Sequence, residues 1–95
     1  MASAEKNLTI INELGLHVRP AGMMVKVANR FKSKIVLEKD EDKVDAKSIM
    51  GVMMLGASKG SIIRVHAEGE DAEEAVRALE ELFENGFGEL ESCGG

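Results

Sequence analysis

Tryptophan and tyrosine are absent, and phenylalanine occurs only three times in 95 residues. The core must therefore be aliphatic, with Ile, Val, Leu and Met supplying its volume. A lone cysteine, Cys93, can close no internal disulfide and build no thiolate metal site, and is expected as a free thiol. One proline in the whole chain leaves regular structure free to run between defined breaks. Basic charge is scarce: 12 Lys and Arg stand against 17 Asp and Glu, a formal charge of −5. Binding a phosphate backbone needs a surplus of cations on one face, so no nucleic-acid partner is expected. No apolar run approaches the ~20 residues of a bilayer span, and residues 1–7 lack the hydrophobic stretch of a secretory signal. The expectation is a soluble cytoplasmic protein, one domain over residues 1–95, with a core at about 7–87 and a flexible tail at 88–95.

Hydrophobic periodicity divides the chain. Residues 7–12 alternate and read as a strand. From Pro20 the period changes: Ala21, Met24, Ala28 and Phe31 recur at helical steps, and proline suits a first turn that needs no N–H partner. Residues 35–37 and 44–46 form a hairpin across a polar turn at 40–42. Residues 48–55 form a short, nearly all-apolar helix, with Gly56 fitting just past its end. Residues 61–68 are the clearest strand, with Ile63, Val65 and Ala67 on one face and Arg64, His66 and Glu68 on the other. Asp71 followed by Glu74 resembles a capping box, opening a helix along Ala75, Val76, Leu79, Leu82 and Phe83. Phe87 is expected to fold back after it. The order β-α-β-β-α-β-α implies an α+β open-faced β-sandwich: a four-stranded antiparallel sheet covered on one face by three helices.

Chemistry concentrates in the run from Gly15 to Gly22, Gly-Leu-His-Val-Arg-Pro-Ala-Gly. His17 stands where a proline-started helix begins. A helix start presents N–H groups without intrahelical partners and a partial positive charge, so an anion there gains hydrogen bonds and about 0.3–1 kcal/mol from the dipole. An imidazole lone pair can attack phosphorus, and the new phosphoryl group would find the first-turn residues Val18, Arg19, Pro20 and Ala21 beside it, with the Arg19 guanidinium as counter-charge. Such a site needs no metal and no cofactor. Ser48 reads first as a helix N-cap. His66 reads as a surface histidine and the acidic last helix as a solvated face.

The run Gly15–Ala21 resembles the active-site signature of the histidine-containing phosphocarrier (HPr) family of the phosphoenolpyruvate phosphotransferase system. The stretch from Asp45 to Gly56 is similar to that family's regulatory-serine helix, and the likeness extends over roughly residues 7–86. The resemblance implies a phosphocarrier rather than an enzyme. Its His17 would accept a phosphoryl group at Nδ1 from enzyme I and pass it to a histidine of A-domains of the system. It further implies phosphorylation of Ser48 by an HPr kinase, partner contacts through Ile49, Met50 and Met53, and a monomer. Of the cluster Ile49, Met50, Met53 and Met54, about half is assigned to the core and the rest to the surface. Two features depart from the sugar branch. Leu14 replaces a small polar residue before Gly15, so His17 must be oriented by backbone groups. The run Asn12-Glu13-Leu14-Gly15 and the ending from Leu82 to Phe87 lean toward the nitrogen-regulatory branch (NPr). Two other readings stay open: a regulator acting through Ser48 alone, and a ligand-sensing ACT-like domain.

Overall fold

The computed structural model describes residues 2–88. Its elements are β1 (Ser3–Thr9), α1 (Val18–Ala28), β2 (Lys34–Lys39), β3 (Asp42–Asp45), α2 (Ile49–Met54), β4 (Ile62–Glu68) and α3 (Ala72–Glu84), followed by a 3-10 turn at Gly86–Gly88. The sheet runs β1-β4-β2-β3 with every neighbouring pair antiparallel. The expected open-faced sandwich is therefore the architecture. Leu8, Ile35, Leu37, Ile63, Val65 and Ala67 line the covered face and are buried. Ala21, Met24 and Ala28 from α1, with Ala75, Leu79 and Phe83 from α3, close over them.

The first strand is displaced from its expected place. It occupies 3–9 rather than 7–12, because backbone pairing decides its extent: Ser3 faces Glu68 and Thr9 faces Ile62, the whole length of β4. An edge strand with one face in solvent tolerates Glu5 and Asn7 there. Lys6, on the other face, reaches Glu80 of α3 as an ion pair. Ile10 is fully buried, yet lies beyond the strand, its amide bonded to the Ser61 carbonyl at 2.9 Å.

The start of α3 is also built differently. Asp71 is its N-cap but gives the helix no side-chain hydrogen bond. Its carboxylate instead accepts from the Lys32 and Ser33 amides, each at 2.9 Å, and from the Ser33 hydroxyl. The expected capping box is thus replaced by a clamp that ties the loop after α1 to α3. These hydrogen bonds, that of the Ser33 hydroxyl foremost, hold the Asp71 pKa below its ordinary value.

Phe87 does fold back. It is 1% exposed and tilts against Phe83 with ring centroids 5.0 Å apart. Its φ of +56° is costly for a residue with a side chain, of order 1–3 kcal/mol. Burying the ring returns a similar sum, about 1.5–3 kcal/mol, with some 0.5–1.5 more from the aromatic pair. Of the expected tail, Gly88 belongs to the 3-10 turn; residues 89–95, including Cys93, lie outside the described residues.

Candidate functional site: a helix start beside an apolar helix

The segment between β1 and α1 is pinned to the loop that precedes β4. Leu16 donates its amide to the Ala57 carbonyl at 3.0 Å, and Gly60 donates to Ile10 at 2.8 Å. Lys59 and Glu13 form an ion pair at 2.7 Å across the same two loops, which holds the Glu13 carboxyl below its usual range. Gly15 is required twice over. Its φ is +64°, and a Cβ there would collide with the Ala57 carbonyl oxygen and stand 2.8 Å from Ser58 Cα.

Asn12 completes the turn. It is fully buried; its side-chain Nδ2 donates to the Gly15 carbonyl at 2.9 Å, while the Gly15 amide donates to the Asn12 carbonyl at 3.2 Å. Sequence reasoning placed Asn12 at the end of a strand and gave it no role. The signal was present: an asparagine three residues before a glycine is a turn former. Leu14, which cannot take a polar part, is instead 71% exposed beside the site.

The turn delivers His17 as the N-cap of α1, with extended backbone at φ −83° and ψ −170°. The imidazole is partly exposed and makes no capping bond to its own helix. The His17 carbonyl accepts from the Ala21 amide at 3.0 Å. Pro20 has no N–H, so the first-turn amides left to meet an anion are those of Val18 and Arg19. Pro20 and Ala21 are buried and contribute by fixing the helix start rather than by donating. Arg19 and Val18 are exposed.

Ser48 is the N-cap of α2, and its hydroxyl accepts from the Gly51 amide at 3.2 Å. The helix packs on α1 with Ile49 Cδ1 facing Gly22, where a Cβ would sit 4.0 Å away. Here the expected division of the apolar cluster fails. Val52 and Leu55 anchor α2 in the core, while Ile49, Met50, Met53 and Met54 are all exposed, at 41, 71, 43 and 77%. A six-residue helix offers the core only one narrow stripe, and Val52 with Leu55 fills it.

Hollows lie elsewhere. One of about 260 Å³ sits on the open sheet face among Glu5, Val36, Glu38, Lys43, Arg64 and His66. Another, of about 350 Å³, runs between β1 and α3. His66 is a surface residue of the open sheet face, its Nδ1 3.1 Å from Glu5 across the ladder. Among the described residues no cluster of His, Cys, Asp and Glu could hold a metal, and no helix is long and apolar enough to cross a membrane. His17 is partly exposed, and the apolar side chains of Leu14, Val18, Ile49 and Met50 are exposed as well.

Comparison with known proteins shows the family and the fold. The family model described as PTS HPr component phosphorylation site matches residues 4–85. The chain belongs to the HPr family. HPr of Xylella fastidiosa is 49% identical over 85 residues, 90% of this chain and 96% of that protein. HPr of Neisseria meningitidis is 44% identical over 87 residues, 92% and 98% of the two chains. The crystal structure of HPr-C-His from Thermoanaerobacter tengcongensis superposes with a TM-score of 0.88 at 51% identity, covering 90% of this chain and 97% of that one. As an HPr, the protein is a phosphocarrier of the phosphotransferase system. The ACT-like reading falls with that finding.

Proposed function

We propose that His17 carries the phosphoryl group, taking it from phosphorylated enzyme I and giving it to a histidine of the system's A-domains. The observation that supports this most is the helix start: a partly exposed imidazole at the N-cap, not used to cap its helix, next to the amides of Val18 and Arg19. The Nδ1 lone pair attacks phosphorus in line while the N–P bond of the donor phosphohistidine breaks and its electron pair returns to the donor ring. Charge in the transition state spreads over the three equatorial oxygens. The Arg19 guanidinium and the two amides meet that charge. The same arrangement serves the reverse polarity when an acceptor histidine attacks. A carrier must release what it receives, so a solvent-exposed arginine, weaker than a buried one, is suited to the task.

Docking falls to exposed apolar side chains, with Ile49, Met50 and Met53 as contacts. Unbranched thioethers adapt to several partners in turn. Ser48 is the regulatory position: a phosphate would place about −1.5 to −2 charges at a helix start and change the potential of the docking face without unmaking the helix. The carrier acts as a cytoplasmic monomer, without metal or cofactor.

The test is intact mass after incubation with enzyme I and phosphoenolpyruvate. One added phosphoryl group is expected, and none in His17→Ala; a labelled His17→Ala protein refutes the assignment. HPr kinase with ATP, in a parallel reaction, should label Ser48 and leave His17 unphosphorylated. A protein labelled only by the kinase would be a regulator acting through Ser48 alone.

A further inference from the structure

We infer that Met50, Met53 and Met54 form an oxidant-sensitive modification site that uncouples the carrier from its protein partners. The inference rests on the proposed docking role of α2. Three of the six methionines stand on this one helix, 71, 43 and 77% exposed, while Met24 of α1 is fully buried. Val52 and Leu55 are the buried side chains that anchor the helix in the core, while the three thioethers are exposed and carry little of the fold. They are open to a peroxide or hypohalous acid, and sulfoxidation follows exposure.

The step balances with hydrogen peroxide as oxidant. A sulfur lone pair attacks one peroxide oxygen, the S–O bond forms and the O–O bond breaks. The departing hydroxide takes the proton of the transferred oxygen and leaves as water. Sulfur loses two electrons and peroxide gains them.

The consequence follows from where the oxygen lands. Leu14, Val18 and Ile49 are exposed apolar residues as well. A sulfoxide is polar, less flexible than a thioether, and must shed water to enter an apolar contact. Docking weakens, while His17, Arg19 and the amides of α1 are chemically untouched. Enzymatic reduction of the sulfoxides reverses the change.

The experiment uses the full chain in a Cys93→Ser background, so that thiol oxidation does not contribute. Peptide mapping after peroxide treatment should show sulfoxide at Met50, Met53 and Met54 well before Met24. The KM of enzyme I for the oxidised carrier should rise roughly tenfold, the order expected when one polar group must be desolvated, with kcat little changed. Labelling of His17 by a small phosphoramidate donor, which needs no docking, should keep its rate. A triple variant, M50L/M53L/M54L, has no sulfur left on α2, so whatever its starting KM, that value should not change on peroxide treatment. The inference is overturned if Met24 oxidises as fast as α2, if the oxidised carrier keeps its KM, or if the triple variant is still inhibited. Met53→Glu, assayed without oxidant, tests the docking reading separately. An unchanged KM there would refute docking through α2, whatever the oxidation pattern.

Discussion

The two helix starts on the functional surface follow opposite plans. At α2 the cap serves its own helix: the Ser48 hydroxyl accepts from Gly51. At α1 the cap is a histidine whose side chain makes no capping bond to its helix, and the first turn holds a proline without an N–H. Stiffness comes instead from outside the helix, through Asn12, Gly15 and the backbone around Ala57. The difference separates two tasks. A self-satisfied start holds a short helix whose outer face can remain adaptable. A start whose support is borrowed does not need its cap side chain to hold the helix. The third start, at Asp71, shows yet another use, since its carboxylate ties two distant loops together rather than capping α3.

This contrast is easiest to break at Gly15. Gly15→Ala adds a Cβ at positive φ into the backbone of Ala57 and Ser58, and should cost about 3 kcal/mol or more in urea unfolding. Equal stability with wild type would mean that the loop is not borrowing its rigidity there. Asn12→Ala comes next. It leaves the buried Gly15 carbonyl without its side-chain donor and should lower stability by about 1–3 kcal/mol. Phosphoryl acceptance should slow as well, whereas a change at α2 alone would raise KM.

Ser48→Ala should cost about 1 kcal/mol, and Ser48→Asp should restore it, because either oxygen can accept from Gly51. If alanine is harmless, α2 does not depend on its cap. The smallest effect is at Asp71. Its pKa is lowered in the folded state, so its stabilisation is present above the ordinary carboxylate pKa and fades as pH falls through the folded value. Denaturation midpoints taken from about pH 5 downward should fall less steeply in Asp71→Asn than in wild type.

Legibility followed sequence distance. β4 was read correctly because alternation is written in consecutive residues. The Gly15–Ala21 run and the cap at Ser48 were equally local. The Asp71 clamp was missed because its partners are 38 and 39 residues away, and nothing in the run around Asp71 distinguishes a cap from a clamp. The beginning of β1 was missed for the same reason: its extent is set by β4, some sixty positions later, and its outer face shows no pattern. On α2 composition misled, since an apolar helix reads as core until the narrow stripe actually available to it is known.

The sequence by itself determined the histidine proposed to react, the glycine that lets the chain turn toward it, and the alternation of strands and helices, for these are carried by residue type and short-range periodicity. Only the tertiary structure decided which buried asparagine braces the loop, that Asp71 clamps the loop after α1, and that four apolar side chains of one short helix face water. Those depend on which distant backbones come into contact, and burial is a property of the packed surface rather than of the residue.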